Sequence, residues 1–567
     1  MKAFGLLFGA ILSLTVKSQA QNLMPVPDTL SGPVISLDLH RDSVHFFPGQ
    51  ITKTFAFNAF RFHGPTLILK KGSSVSLIVN NQMGDTTTIH WHGLHIAPQN
   101  DGGPHSLILP GQTWNPRFKV MDEASTYWYH PHLDKRTSEQ ALRGITGMII
   151  VRDTLEAVLN LPRRYGLDDF PVIVQSLQFD SLNQPMHMGM RDSTLLVNGV
   201  INPYVIIPAQ IVRLRILNAS GERVFNFGLS GNKPFYQIGS DGGLLSAPVP
   251  VTRLMLSPGE RAEILVDMNG MAGKVLYLMS YASELAMGVQ GGPTMYMPPP
   301  SPAMDSPLNG VDFNILRINV GIQTAFPVTT VPASLVPVTP YPASSASGYR
   351  TINMTSADSM NMDGPFLFNG QAFDMKRIDY TIPLNSLEVW TLINNTMVAH
   401  PFHLHGSQFY ILDRKGVQPP LSGAGRKDVV LLLPYDTVRI ISRFTDFTSD
   451  TIPYMFHCHI LMHEDAGMMG QFLVSGSVGV QNRKQETGDF LIYPNPTQLE
   501  ITVIAAASCS GLVKVTVLDL LGRIQMVQQN NGMASEMKLN TRDLAPGQYI
   551  LQIGTNRGFR FRKFIKN

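Results

Sequence analysis

The sequence predicts an all-β protein of stacked β-sandwiches, and three observations support this fold class. Short runs rich in Val, Ile and Leu recur along the chain and end at turn residues, as at 66–69, 74–79 and 212–217. Glycine and proline are plentiful, with 48 and 40 residues, whereas charged residues make up only 15% of the chain. At 567 residues the chain is too long for one hydrophobic core, so we expect three or four domains.

The charge balance argues against one broad class of partner. The formal net charge is only +3, and the one basic cluster lies at the extreme C-terminus. Proteins that bind nucleic acid or an anionic membrane surface usually carry a much larger positive charge. We therefore expect no nucleic-acid partner.

The N-terminal segment, residues 1–20, has the pattern of an export signal peptide. Lys2 precedes an apolar run from Phe4 to about Val16, and residues 18–20 offer small side chains for cleavage. The run is short for a membrane span, although an uncleaved signal anchor is the alternative. No other stretch reaches about 18 uninterrupted apolar residues. We expect an exported protein, periplasmic, cell-surface or secreted, without stable membrane insertion.

The segment from His457 to Met468 carries the most specific chemical pattern. Cys458 is followed by His463 five residues later and by Met468 ten residues later. A thiolate, an imidazole and a distant thioether are the ligands of a blue-copper electron-transfer centre. In a strand, neighbouring side chains point to opposite faces, so His457 and His459 would face a different metal centre from Cys458.

Three further motifs supply histidines for that second centre. In each, two imidazoles stand two residues apart, on one face of a strand. Ordinary core or surface histidines would explain any one motif but explain all four together poorly, since they hold ten of the sixteen histidines. The three motifs are His90-Trp91-His92, His130-Pro131-His132 and His400-Pro401-Phe402-His403-Leu404-His405.

These four motifs, in this order, resemble those of the multicopper oxidases, the superfamily of laccases and copper-efflux oxidases. The similarity runs through about residues 50–475 and includes residues 369–375, which look like the bacterial copper-efflux branch. It implies four copper ions as cofactors: one of type 1, one of type 2 and two of type 3. The implied ligands are His400, Cys458, His463 and Met468 for type 1; His90 and His403 for type 2; His92, His130 and His459 for one type 3 copper; and His132, His405 and His457 for the other.

The resemblance also implies the reaction, which is oxidation of a small reducing substrate coupled to reduction of O2 to water. Cys458 would pass single electrons to the flanking histidines. Asp101 and Glu464 match the family's proton-relay positions, Asp101 on the type 2 side and Glu464 at the type 3 pair. The alternative for each carboxylate is a turn or capping residue, and for Asp101, which precedes two glycines, this alternative is strong.

The family's architecture implies three cupredoxin-like Greek-key β-sandwich domains. We place domain 1 at 30–158, domain 2 at 168–322 and domain 3 at 350–476. Domains 1 and 3 hold the motifs, so the histidine cluster should lie between them, a common position for such sites. Domain 2 holds none of the ligands and is expected to act as a spacer.

After about residue 484 the pattern changes. Tyr493-Pro494-Asn495-Pro496, residues 518–523 and 544–550, and a basic end resemble the type A sorting domain of the type IX secretion system. We expect a small C-terminal β-sandwich at 484–567 that interacts with this secretion machinery. A generic adhesion module is the alternative.

The second cysteine, Cys509, lies in this C-terminal part of the chain. A disulfide between Cys458 and Cys509 is conceivable in an exported protein and would remove the thiolate. Because the copper motif surrounds Cys458 completely, we expect both cysteines to be free.

The substrate remains open between two classes. Methionines crowd two segments, with Met287, Met295, Met297 and Met304 in one and Met354, Met360 and Met362 in the other, and thioethers suit Cu(I). Exposed methionines can equally form an apolar binding surface. Thr396 and Val398 stand where efflux oxidases carry aspartate and methionine; this departure weakens the case for Cu(I) and leaves phenols or aromatic amines at least as well supported. Two other classes stay open, a copper-sequestering protein and a copper nitrite reductase, and the doubled His-X-His motifs disfavour the second.

Overall fold

The structure is a computed structural model that describes residues 21–60, 62–187, 191–293, 306–357, 364–476, 490–505, 512–519, 523–555 and 558–567. The predicted signal peptide, Cys509 and five of the clustered methionines (Met295, Met297, Met304, Met360 and Met362) lie outside the described residues. The chain forms two compact units, one ending at Gly476 and the other beginning at Ser477.

The first β-sandwich carries the two N-terminal histidine motifs. One sheet has the order β2-β5-β11-β10-β7, and the other has the order β4-β3-β6-β8 with β9 also paired to β6. Side chains alternate between buried and partly exposed along β6, as one solvated face requires. Strand β1 (Asn22–Leu23) precedes this sandwich in the chain but pairs with β15 of the second sandwich. The strands of the first sandwich are β2 (Thr29–Ser31), β3 (Val34–Val44), β4 (Thr52–Phe57), β5 (Thr66–Lys70), β6 (Ser74–Asn81), β7 (His90–His92), β8 (Thr113–Trp114), β9 (Arg117–Lys119), β10 (Ser125–His130) and β11 (Gly147–Arg152), and the helices are α1 (Pro98–Asp101), α2 (Thr137–Leu142) and α3 (Thr154–Ala157).

The second β-sandwich consists of sheets β1-β15-β23-β22-β17-β20 and β14-β13-β12-β16-β21-β18-β19. Strands β12 and β16 are buried along their whole length because the first sandwich also packs on their sheet. The strands are β12 (Asp169–Leu177), β13 (Thr194–Val197), β14 (Val200–Ile201), β15 (Pro203–Pro208), β16 (Ile211–Asn218), β17 (Phe225–Leu229), β18 (Phe235–Ser240), β19 (Gly243–Val251), β20 (Leu254–Leu256), β21 (Arg261–Asp267), β22 (Val275–Ser280) and β23 (Phe313–Gly321), with 3-10 turns at Ser230–Asn232 and Ala282–Glu284.

The third β-sandwich carries the two C-terminal motifs on sheets β25-β24-β27-β31-β29 and β26-β33-β32-β28-β30. Trp390, Phe402 and Phe456 form the centre of its core. The strands are β24 (Gly348–Ser356), β25 (Phe366–Phe368), β26 (Tyr380–Pro383), β27 (Leu387–Asn394), β28 (His400–Leu404), β29 (Phe409–Arg414), β30 (Val429–Leu432), β31 (Thr437–Arg443), β32 (Tyr454–Cys458) and β33 (Met469–Ser475), with helix α4 (Leu461–Asp465) and 3-10 turns at Ala343–Ser345 and Leu421–Gly423.

The C-terminal unit has its own core and two small sheets, β34-β35-β38 and β37-β36-β39-β40. Its strands are β34 (Phe490–Tyr493), β35 (Glu500–Ala505), β36 (Leu512–Leu518), β37 (Ile524–Ala534), β38 (Glu536–Asn540), β39 (Gly547–Thr555) and β40 (Gly558–Lys566). The predicted all-β class is confirmed. Within the described ranges, no helix is long and apolar enough to cross a membrane.

Candidate copper centres

Two adjacent strands of the third sandwich carry most of the C-terminal motif residues. β28 and β32 pair antiparallel, with Phe402 opposite Cys458 and His403 opposite His457. Side chains alternate along each strand, so His400 and Cys458 lie on one side of the sheet while His403 and His457 lie on the other. One pair of strands therefore contributes to two separate clusters of side chains.

The first cluster, which we call the cysteine cluster, contains His400, Cys458 and His463. The Sγ atom of Cys458 lies 3.6 Å from Nδ1 of His400 and 3.6 Å from Nδ1 of His463. Cys458 is a buried free thiol. Met468 is also fully buried in the same core, and its carbonyl accepts a hydrogen bond from the Cys458 amide at 3.1 Å.

Two neighbours orient the imidazoles of this cluster. The hydroxyl of Thr396 lies 2.9 Å from Nε2 of His400 and also donates to Asn394 Oδ1 at 2.8 Å. Thr396 can therefore accept the Nε2–H of His400 and leave Nδ1 with its lone pair toward the sulfur. The Phe366 ring packs on both imidazoles, with centroids 4.6 Å from His400 and 4.5 Å from His463.

The second cluster, which we call the histidine cluster, lies between the first and third sandwiches. Strands β7 and β10 pair so that His90 stands opposite His130, and β28 and β32 meet them from the other side. Eight imidazoles are buried there within a few ångströms of one another: His90, His92, His130, His132, His403, His405, His457 and His459.

One group of three imidazoles in this cluster is especially close. The Nε2 atoms of His132 and His405 each lie 3.2 Å from Nε2 of His457. Three nitrogens pointing at one another need a proton or a metal between them, because lone pairs alone repel. All three residues belong to the predicted ligand set of one type 3 copper.

His90 and His403 have free nitrogens of the same kind. Nδ1 of His90 donates to the carbonyl of Asp101 at 2.9 Å, and Nδ1 of His403 donates to the carbonyl of Asp428 at 2.7 Å. Each Nε2 is buried and has no hydrogen-bond partner among the described residues. These two nitrogens are therefore neutral lone pairs available to a cation.

The other predicted type 3 group is His92, His130 and His459. Nδ1 of His92 lies 3.3 Å from Nε2 of His130, and the His459 ring lies 5.0 Å from the His92 ring and 5.4 Å from the His130 ring. Both ring nitrogens of His459 are buried without a partner in the described part of the chain. The structure thus brings these three residues together as well.

Asp101 ends helix α1 and is buried against the histidine cluster. Its Oδ2 lies 2.7 Å from Nδ1 of His405 and 3.5 Å from Nδ1 of His90, so it contacts predicted ligands of both types. Gly102 makes this approach possible, because a Cβ there would lie 1.7 Å from the carbonyl oxygen of Ile89. Asp101 is therefore both a turn residue and a neighbour of the cluster.

Glu464 lies in helix α4, directly after His463 of the cysteine cluster. Its Oε1 is 3.4 Å from Nδ1 of His132 and its Oε2 is 3.2 Å from Nδ1 of His457. Thr137 donates its hydroxyl hydrogen to Oε1 at 2.7 Å. Burial raises the pKa of Glu464, whereas a proton on His132 or His457 lowers it below its usual value.

Burial also decides the charge of the candidate ligands. It lowers the pKa values of His132, His459 and His463 to about 3, so these imidazoles are neutral at neutral pH. Burial raises the pKa of the Cys458 thiol, and a bound cation would reverse that shift. The clusters offer neutral nitrogens and one sulfur, a donor set that suits copper.

Sequence patterns did not identify one buried ion pair beside the histidine cluster. Asp428 Oδ1 lies 2.9 Å from Nε2 of His92. The guanidinium of Arg261, in the second sandwich, donates one hydrogen bond to each carboxylate oxygen of Asp428 at 2.6 Å. Burial raises the pKa of Asp428 to about 6, although Arg261 lowers it. The second sandwich, which supplies none of the predicted ligands, therefore contributes a residue that contacts a neighbour of the histidine cluster.

Comparison with known families assigns the class of this protein. Three multicopper oxidase models match residues 41–156, 171–295 and 347–477 in turn. A model of a secretion system C-terminal sorting domain matches residues 491–567. The chain belongs to the multicopper oxidase family and carries a type IX sorting tail, which implies export.

Individual relatives agree with this assignment. A multicopper oxidase of Staphylococcus haemolyticus is 33% identical over 449 residues, which cover 78% of this chain and 88% of that protein. The solved structure of a laccase-like multicopper oxidase CueO from Ochrobactrum is 33% identical and superposes with a TM-score of 0.70, covering 80% of this chain and 100% of that one. The fold is thus the cupredoxin-like one of this family. The cell division protein FtsP of Escherichia coli is also similar, at 32% identity over 82% of this chain and 96% of its own length.

Proposed function

We propose that this protein is a laccase-like copper oxidase that couples four one-electron oxidations of a reducing substrate to the reduction of O2 to two waters. The cysteine cluster would hold a type 1 copper, with His400, Cys458 and His463 as ligands and the thioether of Met468 as a further, weak ligand. The histidine cluster would hold the other three coppers, with His90 and His403 at type 2, His92, His130 and His459 at one type 3 position, and His132, His405 and His457 at the other.

One observation carries this proposal: the Nε2 atoms of His132 and His405, each 3.2 Å from that of His457, in a fully buried site. A folded protein seldom leaves buried nitrogens without partners, since each costs about 1–3 kcal/mol. A shared cation removes this cost. The unpartnered Nε2 atoms of His90 and His403 support the same conclusion.

Copper bound at the two clusters would supply one-electron redox chemistry, oxidising a donor at one and reducing O2 at the other. The chain itself provides a short covalent path between them, since Cys458 and its neighbours His457 and His459 are consecutive. Burial of all three side chains keeps bulk water away from this path.

Two carboxylates can hold protons for the reaction, which consumes four for each O2. Asp101 presents Oδ1 without a hydrogen-bond partner within the described ranges, while Oδ2 orients His405. Glu464 lies against His132 and His457, where it can accept a proton and return it.

Phenols and aromatic amines are the substrates that we propose. The residue beside His400 is Thr396, whose hydroxyl carries no charge. A carboxylate at this position would attract a metal cation, and threonine does not. The Ochrobactrum relative has, as its description states, oxidase activity towards lignin model compounds. Each phenol would lose one electron and one proton, so four phenols supply what one O2 needs.

Cu(I) is the second candidate substrate, and one observation favours it. Met287 is 57% exposed, and the carbonyl of the next residue, Gly288, accepts a hydrogen bond at 2.8 Å from the amide of Ala399, which precedes His400. A soft thioether thus lies on a segment that is hydrogen-bonded to the residue before His400. Such a site would serve copper detoxification.

The experiment that tests the proposal measures O2 uptake by the copper-loaded protein with a phenol, an aromatic amine or Cu(I) as donor. We expect four donor molecules oxidised per O2, without peroxide, and a higher kcat/KM for the phenol. Copper binding without O2 uptake would instead indicate a sequestering protein. Failure to bind copper would contradict the proposal and leave a structural role, as the similarity to a cell division protein allows.

The sorting tail supports a proposed location. A type IX machinery would carry the exported chain across the outer membrane to the cell surface or the medium.

A further inference from the structure

Asp428 contacts two of the candidate copper ligands. It immediately precedes β30, and its side chain is completely buried. Its carboxylate Oδ1 lies 2.9 Å from Nε2 of His92, and its backbone carbonyl accepts the Nδ1–H of His403 at 2.7 Å. One residue therefore orients imidazoles of both the type 2 and the type 3 groups.

The carboxylate decides which nitrogen of His92 faces the histidine cluster. An ionised carboxylate only accepts hydrogen bonds, so Nε2 of His92 carries the proton and Nδ1 keeps its lone pair. That Nδ1 is the atom 3.3 Å from Nε2 of His130. His90 and His403 are oriented in the opposite way, with Nδ1 donating to a carbonyl.

Arg261 fixes the carboxylate in turn, and its own five N–H groups are all used. Two of them donate to the oxygens of Asp428 at 2.6 Å each. The other three donate to the backbone carbonyls of Thr126, Gly259 and Asp241 at 2.9–3.0 Å. The guanidinium is completely buried and has one orientation that satisfies every donor.

Backbone of the first and second sandwiches fits tightly around this pair. A Cβ at Gly93 would lie 2.5 Å from Oδ2 of Asp428 and 2.7 Å from Nη2 of Arg261. A Cβ at Gly259, where φ is +84°, would lie 2.8 Å from the His459 ring. The turn that leads into Arg261 thus contacts a second candidate ligand of the same type 3 copper.

We propose that Arg261 is a positioning residue for the type 3 half of the copper cluster. Acting through Asp428, it holds His92 with Nδ1 toward the metal, so the second sandwich takes part in the site although it supplies no ligand to it. This inference rests on the proposed copper assignment and goes beyond it.

Two substitutions test this inference, and a third serves as the control. Asp428→Asn places an amide NH2 against either Arg261 or His92, where only an acceptor fits. Arg261→Lys keeps the positive charge but cannot donate two parallel hydrogen bonds to the carboxylate of Asp428. The control is Arg213→Lys, because Arg213 is equally buried on a neighbouring strand and binds Glu263, away from every candidate ligand.

The measurements are copper content, the blue absorption band and the electron paramagnetic resonance spectrum of the holoenzyme. In both test variants we expect copper affinity at one type 3 position to fall about 10- to 100-fold. The blue band should stay intact, and the remaining type 3 copper should become visible by resonance because its partner is lost. Arg213→Lys should match the wild type in all three, and thermal unfolding of the metal-free proteins checks their folding.

Wild-type copper affinity and a silent, coupled type 3 pair in folded Arg261→Lys and Asp428→Asn would overturn the inference. If Asp428→Asn does not fold, the Arg261→Lys variant alone decides by the same criterion. A wild-type protein without the blue band would instead contradict the proposed function, so the two failures are distinguishable.

Discussion

His457 and Cys458 are consecutive residues of β32, yet their side chains belong to different clusters. Cys458 Sγ lies 3.6 Å from Nδ1 of His463, whereas Nε2 of His457 lies 3.2 Å from Nε2 of His132. The alternation of a β-strand produces this separation without any special backbone conformation. A single peptide unit is therefore the shortest covalent link between the two proposed copper centres.

Cys458→Ser tests the electron-entry end of this link. We expect the blue band to disappear, because its colour arises from thiolate-to-copper charge transfer. Loss of a residue that only hydrogen-bonds to a metal ligand typically lowers activity roughly 10- to 100-fold. Because Cys458 would be a ligand itself, turnover with a phenol should fall by more than this. Absorption spectra and O2 uptake measure both effects. Cys509→Ser makes the same chemical change at the other cysteine and should alter neither, and a blue, active Cys458→Ser protein would contradict the assignment.

Strand periodicity and motif spacing predict much of this site from sequence. Side chains alternate between the two faces of a strand, which predicts that His400 and His403, and likewise Cys458 and His457, lie on opposite faces. The structure agrees with this prediction. The all-β class follows from short apolar runs between turns. The pairing of β1 with the second sandwich could not be predicted from sequence, because Asn22–Leu23 is too short to show a pattern.

The ion pair between Arg261 and Asp428 could not be predicted in this way. The two residues are 167 positions apart and lie in different sandwiches, so no local pattern joins them. Each is a charged residue in or beside a strand, where a solvated position is the usual expectation. Only the folded arrangement shows that both are completely buried.

His132→Ala tests the division between the two clusters. The variant should keep the blue band, since His132 lies in the histidine cluster and not in the cysteine cluster. O2 reduction should be abolished, because electrons that enter at the cysteine cluster could no longer be passed to O2 at the histidine cluster. Anaerobic bleaching by a phenol and O2 uptake separate the two steps. His105→Ala is a suitable control, because His105 bonds to Gln471 and belongs to neither cluster. Unchanged O2 uptake in His132→Ala would refute the division.

Glu464→Gln tests proton handling. The amide preserves the shape but cannot take up and return a proton, so we expect kcat for O2 reduction to fall about 10²-fold or more. Reduction of the blue band by a phenol under nitrogen should keep its rate. Stopped-flow absorption and O2 uptake measure these two quantities. Glu139→Gln, on the nearby helix α2, should behave as the wild type, and an unaffected kcat in Glu464→Gln would exclude this role.

His63 makes the stability of the fold depend on pH. Burial lowers its pKa from the usual 6.5 to about 4, although its bond to Gln175 opposes the shift. His63 therefore takes up a proton near pH 6.5 in the unfolded chain but only near pH 4 in the folded protein. The free energy of unfolding consequently decreases as the pH falls from about 6.5 to about 4. The loss amounts to at most about 3 kcal/mol.

His63→Asn removes this titration, and asparagine tolerates the positive φ of 61° at this position. Denaturant unfolding of the variant and the wild type between about pH 7 and about pH 4 measures the difference. We expect the wild type to lose up to about 3 kcal/mol more than the variant over that range. Parallel pH profiles for wild type and His63→Asn would contradict the prediction.

Removal of the C-terminal unit should leave the chemistry intact and change only the destination. Every candidate ligand lies before residue 470, and the chain up to Gly476 forms a compact unit with its own cores. We expect a chain that ends at Gly476 to fold, to bind the same copper per molecule and to retain kcat in vitro. In the native host it should accumulate in the periplasm, because the sorting tail is missing. Metal analysis, O2 uptake and cell fractionation measure these outcomes, with the full-length chain as control. Loss of copper from the shortened protein would make the tail a structural part of the oxidase, whereas normal secretion without it would disprove its sorting role.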